Sequence, residues 1–205
     1  MEKYSTYQYN AGIYGGVIQT DYTVTISITG NKATSTAPTW TNNYGTLGGV
    51  FYLKDGTTLT IDETIMDTNE AIDTGGIMYY TQVQGRLGYT NTITITNSLF
   101  NQQTAENAAG GFYIDNPYIT AFTITSTTFT NSYALNGNGG IFAIVNFNGM
   151  MTVTSCTFQT LSAIYNVALN QEYQGSLLYS TASNYGLTIS SSTINCVSSF
   201  NNATV

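Results

Sequence analysis

The sequence predicts an all-β chain that folds as one domain, a single-stranded parallel β-helix of about six coils spanning residues 1–205. Two internal repeats predict it: a glycine pair before short apolar runs, and an apolar-Thr-apolar triplet at fixed offsets from other residues. Alternating stretches such as TITIT and TVTISIT add the two-residue period of strands, and no segment carries the apolar stripe of a helix.

Glycine pairs precede short apolar runs in copies such as YGGVIQT, LGGVFYL and TGGIMYY. One glycine anchors each copy, and the anchors are 33, 27, 35, 29 and 36 residues apart: Gly15, Gly48, Gly75, Gly110, Gly139 and Gly175. Glycine suits a corner that needs positive φ or that brings backbones close together. The pairs therefore predict one such corner in every coil.

The triplets predict the columns of the core. They are Leu59-Thr60-Ile61, Ile93-Thr94-Ile95, Phe122-Thr123-Ile124, Met151-Thr152-Val153 and Leu187-Thr188-Ile189. An apolar residue stands six positions after each central threonine: Met66, Phe100, Phe129, Phe158 and Ile194. A small residue five positions further on predicts a second tight corner: Ala71, Ala105, Ala134, Ala163 and Ser199. A β-sandwich, the alternative all-β fold, does not require such equal offsets.

Unequal steps between the glycine anchors predict loops that leave the coils at their corners. We expect residues 30–47 and 163–174 to be insertions of this kind. The repeat starts and stops within a coil, without a polar capping helix at either end. This favours a segment of a longer repeat protein, with head-to-tail stacking into a filament as the alternative.

Composition narrows the classes of function. Only 7% of the residues are charged, and the formal net charge is −7 with four cations, which disfavours a nucleic-acid partner. Histidine is absent, so the commonest general base and zinc ligand is missing, and we expect no cofactor. No run of 18 apolar residues and no signal-peptide pattern occurs, so no transmembrane segment is expected.

The segments FNQQTAENAAGGFYI and FTNSYALNGNGGIFAI share a Phe-x4-Ala-x4-Gly-Gly-apolar pattern. This pattern resembles the repeats of chlamydial polymorphic outer membrane proteins and related β-helix surface proteins of bacteria and protists. The resemblance covers most of the chain and implies a right-handed parallel β-helix used for surface display and adhesion. Function depends on sites and not on the scaffold alone, so candidate sites need separate arguments.

A threonine face is the first candidate site. Hydroxyl residues flank the inward member of each triplet, and stacking would arrange them in two parallel rows: Thr94, Thr96, Thr123, Thr125, Thr152, Thr154, Thr188 and Ser190. Thr60 and Asp62 belong to the same rows, and Thr25 and Ser27 are expected in line with them. Such rows look like the Thr-x-Thr arrays of ice-binding β-helices. The alternative is that threonine simply suits the outer surface of a β-coil.

An apolar stripe after the glycine pairs is the second candidate. Both residues that follow each pair are apolar, and neighbours in a strand point to opposite faces, so one stripe should lie outside the coil. We expect loop cover or a protein partner over the second stripe: Ile18, Phe51, Met78, Tyr113, Phe142 and Leu178.

An acidic run is the third candidate. Six of the eleven acidic residues fall within one coil: Asp55, Asp62, Glu63, Asp67, Glu70 and Asp73. Calcium binding or a pair of catalytic carboxylates would use such residues, since polysaccharide lyases and polygalacturonases share this fold. Those enzymes also need cations, and only Lys54 and Arg86 are near, so a solvated acidic coil is favoured and no catalytic or metal residue is assigned.

The two cysteines lie in neighbouring predicted coils but four positions out of register. Cys156 precedes Phe158 by two residues, whereas Cys196 follows Ile194 by two. Four extended residues span about 13 Å, beyond the roughly 7 Å limit for the Cα atoms of a disulfide, so free thiols are expected.

These observations favour a structural or adhesive β-helix of an extracellular or cell-surface protein, rather than an enzyme. A protein partner or self-association is expected, with glycan or ice as other surfaces that the rod could contact. An ice-binding protein is the second interpretation, and a carbohydrate-active enzyme is the third.

Overall fold

A computed structural model of the chain describes residues 6–21, 23–30, 39–54, 56–82, 91–116, 119–163, 175–182 and 185–195. The regular secondary structure in these ranges is entirely β-strand, and every strand pair in them is parallel. The chain runs repeatedly through four sheets, named A, B, C and D in the order visited, which hold seven, six, six and six strands. The predicted parallel β-helix is confirmed, and the strand numbers are close to the predicted six coils.

The strands are short, as alternating β-branched sequences between bends predict. Sheet A contains Thr6–Gln8, Thr39–Thr41, Ile65–Asp67, Leu99–Asn101, Thr128–Thr130, Thr157–Gln159 and Thr193–Asn195. Sheet B contains Ala11–Tyr14, Tyr44–Leu47, Glu70–Thr74, Thr104–Ala105, Tyr133–Ala134 and Ser162–Ala163. Sheet C contains Ile18–Gln19, Phe51–Leu53, Met78–Thr81, Phe112–Asp115, Phe142–Asn146 and Leu178–Ser180. Sheet D contains Val24–Thr29, Thr57–Asp62, Asn91–Thr96, Ile119–Thr125, Met150–Thr154 and Gly186–Ser190.

The core consists of vertical columns, as the equal offsets predicted. Met66, Phe100, Phe129, Phe158 and Ile194 occupy one register position of sheet A. The rings of Phe129 and its two column neighbours are stacked, with centroids 4.9 Å and 5.1 Å apart. The Ile61-to-Ile189 column of sheet D is also in register. Both columns are buried except at the last coil, where Ile189 and Ile194 are about two-fifths exposed (39% and 42%).

Two-residue bends connect sheet A to sheet B, and each has a left-handed first residue: Tyr9, Asn42, Thr68, Gln102, Asn131 and Thr160. The second residue carries a polar side chain in the first five coils, and these side chains form a ladder: Asn10, Asn43, Asn69, Gln103 and Ser132. Asn69 Oδ1 accepts from the backbone N–H of Asn43 (3.0 Å) and from its Nδ2 (2.9 Å). The ladder satisfies buried bend amides and thereby fixes the position of each corner.

The bends from sheet D to sheet A follow the same design with hydroxyl groups. Each described two-residue bend has a left-handed residue first: Glu63, Asn97, Ser126, Ser155 and Ser191. The next residue is Thr64, Ser98, Thr127, Cys156 or Ser192, and its side chain donates to the carbonyl two residues before it. Ser98 Oγ also accepts from the backbone N–H of Thr64 (3.1 Å). The two kinds of bend keep sheets D, A and B at constant spacing along the chain.

The glycine corner between sheets B and C is confirmed, with one correction. The φ angles lie between 62° and 78° at five of the six anchors: Gly15, Gly48, Gly75, Gly139 and Gly175. The prediction for Gly110 is wrong, because Ala109 (φ 53°) lies at the equivalent position: Ala109 O accepts from Gly76 N–H just as Gly75 O accepts from Gly49 N–H and Gly139 O from Gly110 N–H. The segment Ala108-Ala109-Gly110-Gly111 offered more than one alignment, and the stacked hydrogen bonds select the one with alanine at the corner.

Two further expectations are corrected by the strands. Residues 39–47 are not an insertion, because Thr39–Thr41 and Tyr44–Leu47 pair with strands of sheets A and B. Ala163 likewise belongs to a strand of sheet B, and residues 31–38 and 164–174 of the expected insertions lie outside the described residues. The alanines Ala71, Ala105 and Ala134 lie inside short strands of sheet B rather than at a corner, and they are buried. A Cβ on Gly45 of this column would lie 2.3 Å from Gly48 O, so that coil requires glycine where the later coils carry alanine.

Candidate functional site: the threonine face of sheet D

Two rows of outward residues cross all six strands of sheet D. The central row is Ser27, Thr60, Thr94, Thr123, Thr152 and Thr188. The lateral row is Thr29, Asp62, Thr96, Thr125, Thr154 and Ser190. Strand geometry spaces residues of one row by about 4.8 Å and the two rows by about 6.6 Å. We call this surface the threonine face.

The register corrects one detail of the prediction. Thr25 pairs with Thr58 and Ser27 pairs with Thr60, so the first triplet is Ile26-Ser27-Ile28. Ser27 therefore belongs to the central row instead of lying in line with Asp62, and Thr25 lies one row to the other side instead of in line with Thr60. That third row continues through Thr92 and loses its hydroxyls at Ala121 and Met150.

The two rows differ in how their hydroxyl groups are used. In the lateral row, Thr96 Oγ1 donates to Asp62 Oδ1 (2.5 Å), and Thr154 Oγ1 lies 3.2 Å from Ser190 Oγ. Asp62 Oδ1 also accepts from Asn97 Nδ2 (3.0 Å), so the one acidic member of the face is held by the next coil. Within the described residues, the hydroxyls of the central row make no side-chain hydrogen bond. The central row thus presents a line of regularly spaced hydroxyl and methyl groups to whatever lies against it.

The predicted apolar stripe does not face outward. Phe51, Met78 and Phe142 are 0–1% exposed, and Ile18 and Leu178 pack against the same core. Tyr113 is outside this column, because Phe112 pairs with Met78 and Tyr113 pairs with Tyr79.

The physical reason is a bulge directly after each glycine corner. The backbone N–H groups of two consecutive residues, Val50 and Phe51, both donate to Ile77 O (3.0 and 2.8 Å). The same pattern joins Ile77 and Met78 to Gly111 O. Strict alternation of side chains fails at a bulge, so both apolar residues turn inward, and Val50 and Ile77 are buried too.

The acidic run is dispersed by the fold. Its side chains pair with amides of the next coil: Asp67 accepts from Asn101 Nδ2 and Asp73 accepts from Asn107 Nδ2, each at 2.8 Å. Asp55 lies outside the described residues. Within the described ranges, no three His, Cys, Asp or Glu side chains come together as a metal site would require.

Cys156 occupies a hydroxyl position of the D-to-A bend. Its buried thiol lies 3.3 Å from Thr154 O, and burial raises the pKa of the thiol above its usual value. Cys196 lies outside the described residues.

A row of tyrosines on the outer surface of sheet C is the feature that sequence reasoning missed. Tyr52, Tyr79 and Tyr113 share one register position, and their rings stack in parallel with centroids 5.5 Å and 5.0 Å apart. The signal was present in the letters FYL, MYY and FYI, but aligning the copies on Gly110 shifted Tyr113 out of line.

Comparisons of the chain with protein-family models, curated protein sequences and solved structures find no match. The described residues also contain no helix that is long and apolar enough to cross a membrane. The site must therefore be interpreted from its own geometry, which is a regularly spaced face of hydroxyl residues with one acidic member, Asp62, on a closely packed solenoid.

Proposed function

We propose that this chain is a structural and adhesive module of an extracellular or cell-surface protein, in which the solenoid holds the threonine face toward a partner. The observation that carries the proposal is the central row of six hydroxyl residues in register, whose side chains make no hydrogen bonds within the described part of the chain. A partner that lies along the face can therefore replace water without breaking contacts inside the protein.

The scaffold supports this function because it resists bending. Columns of buried side chains and the hydrogen bonds of two kinds of bend connect successive coils, so motion of the face is coupled to the core. The repeat resembles those of bacterial and protist surface proteins, which supports display outside the cell.

Two lysines placed on the face test its role. Thr123→Lys with Thr152→Lys puts charges on adjacent strands of the central row. Thr128→Lys with Thr157→Lys is the matched control, because these threonines are paired in the same two coils on sheet A and are also partly exposed. Binding of the fluorescently labelled chain to intact source cells should fall at least tenfold for the first pair and stay within twofold for the second. Equal losses, or no loss, would contradict the proposal.

The location is tested separately by antibodies raised against the folded chain. Labelling of intact source cells or of their culture medium is expected. Labelling that appears only after the cells are permeabilised would rule out an extracellular or cell-surface role, whatever the binding experiment shows.

Ice binding is a second candidate, favoured by the two-dimensional regularity of the same face. Rows about 4.8 Å by 6.6 Å apart present hydroxyl and methyl groups as a flat lattice, which is suited to ordered water. The measurement is thermal hysteresis with inspection of ice-crystal shape. Faceted crystals with a freezing gap that Thr123→Lys with Thr152→Lys abolishes would establish this function, whereas round crystals and no gap in the native chain would exclude it.

A further inference from the structure

The tyrosine ladder of sheet C, defined as Tyr52, Tyr79 and Tyr113, is a second surface with its own chemistry. The rings are parallel within 4–5° over three successive coils, and Tyr79 and Tyr113 are only partly buried. Both faces of Tyr79 are stacked against ladder rings, and Tyr113 is stacked on one face and has Ala143 beside the other, so the ladder presents mainly ring edges and hydroxyl groups. A row of edges along the solenoid axis suits the π face of one flat molecule, since aromatic rings attract each other edge to face.

The charges along the ladder are unequal. Lys54 lies near Tyr52, with its Nζ 5.5 Å from the ring centroid, and it is paired with Asp21. Asp115 follows Tyr113 by two positions on the same strand face, one coil from Thr81. Asp115 Oδ1 accepts a hydrogen bond from Asn146 Nδ2 (2.6 Å), which is a neutral partner. The Tyr79–Tyr113 end is therefore negative, and among the described residues no Lys or Arg other than Lys54 adjoins the ladder.

We propose that the Tyr79–Tyr113 part of the ladder binds flat, cationic, conjugated aromatic molecules, which lie along the solenoid axis with their charge toward Asp115. The ring edges supply contact area, and the carboxylate selects the sign of the charge. Lys54 over Tyr52 occupies the opposite end, so a cation is directed to the acidic end. This site is independent of the threonine face, which belongs to sheet D.

Titration with thioflavin T, a flat cationic dye, tests the proposal through its fluorescence. We expect saturable binding that Tyr79→Leu weakens about tenfold, because the middle ring of three is removed. Tyr133→Leu is the matched control, since Tyr133 is a partly exposed strand tyrosine on sheet B, and it should leave affinity unchanged. Thr123→Lys with Thr152→Lys should also leave dye binding unchanged, which separates this site from the proposed function.

A second variant keeps the test valid if Tyr79→Leu fails to fold, as judged by circular dichroism. Asp115→Asn retains every ring and should weaken dye binding about threefold, an effect that 0.5 M salt reduces. A flat anionic dye of similar length should bind more weakly than thioflavin T. Absence of dye binding by the native chain, equal losses in Tyr79→Leu and Tyr133→Leu, or stronger binding of the anionic dye would each overturn the proposal.

Discussion

Phe129 shows what a single residue contributes to this solenoid. Its ring stacks between Phe100 and Phe158 and meets Phe142 edge-on at a centroid distance of 5.7 Å. The same ring therefore joins three coils along sheet A and crosses the interior to sheet C. The neighbours of Phe129 are themselves held in stacked columns. They therefore cannot move in to fill a gap if this ring is removed.

We predict that Phe129→Ala lowers the free energy of unfolding by about 3–5 kcal/mol, because it leaves a cavity among fixed rings. Urea unfolding followed by circular dichroism measures the change. Leu135→Ala is the control, since Leu135 is 39% exposed, and it should cost about 0.5 kcal/mol or less. A cost for Phe129→Ala close to that of the control would mean that the column is not packed as described.

Backbone conformation gives a second prediction at the residue scale. A Cβ on Gly75 (φ +71°) would lie 2.2 Å from Met78 O, so Gly75→Ala should destabilise the chain by more than about 1 kcal/mol. Ala109 has φ 53° at the equivalent corner, and Ala109→Gly should stabilise by up to about 1 kcal/mol. Gly186→Ala is the control: the nearest atoms belong to the flexible Met150 side chain. Urea midpoints that do not separate these three variants would contradict the assigned corner.

At the scale of elements, the two-residue bends determine the positions of the corners more than the strands do. The A-to-B ladder continues through five coils and ends at Leu161, which is buried at the position that Asn69 and Gln103 hold in earlier coils. A leucine side chain therefore fits at this position of the bend, but it cannot make the hydrogen bonds that asparagine and glutamine make there. This makes the contribution of one ladder member measurable.

We predict that Asn69→Leu costs about 1–3 kcal/mol for each buried group left unpaired, chiefly the backbone N–H of Asn43 and the carbonyl of Trp40. Thermal and urea unfolding report the loss. Asn107→Ala removes an exposed amide that donates to Asp73 and should change stability by about 0.5 kcal/mol or less. A neutral Asn69→Leu would indicate that the ladder does not stabilise the bends.

The same bends explain which parts of the fold were predictable from sequence. Two-residue bends separate sheets D, A and B, so the spacing from Thr94 through Phe100 to Ala105 recurs without gaps in other coils. Beyond sheet B, the chain passes a bulged corner and connections of unequal length, so fixed offsets disappear. The inward turn of Phe51 and the alignment of Tyr113 depend on that bulge and on stacking partners, which strand alternation alone does not encode.

At the scale of the whole molecule, the low content of charged residues and the high content of tyrosine determine how stability depends on pH. Histidine is absent from the chain, so no imidazole titrates near neutrality. Burial raises the pKa of Tyr79 to about 12, with neighbouring Tyr113 and Asp115 adding to the effect. Burial likewise raises the pKa of Tyr52 and of Tyr113.

These shifts predict alkaline unfolding. A phenol in the unfolded chain loses its proton near pH 10, whereas Tyr79 in the folded chain keeps it until about 12, so stability is intact below pH 10 and falls as pH rises from 10 to 12. Urea unfolding at pH 7, 9, 10 and 11 should give equal midpoints at the first two values and falling ones thereafter. Tyr79→Phe should reduce the alkaline fall. An unchanged midpoint at pH 11 would be inconsistent with the raised pKa of the partly buried ladder tyrosines.

The unequal connections between sheets C and D have a consequence for folding fidelity. A solenoid of identical coils could pair its strands with the wrong neighbour and still complete every column. Here the connection is residues 54–56 in one coil, 82–90 in the next and 116–118 in the one after. A strand that paired with the wrong neighbour would need one connection to be longer and another to be shorter than the chain provides. The unequal connection lengths therefore disfavour out-of-register pairing of the coils.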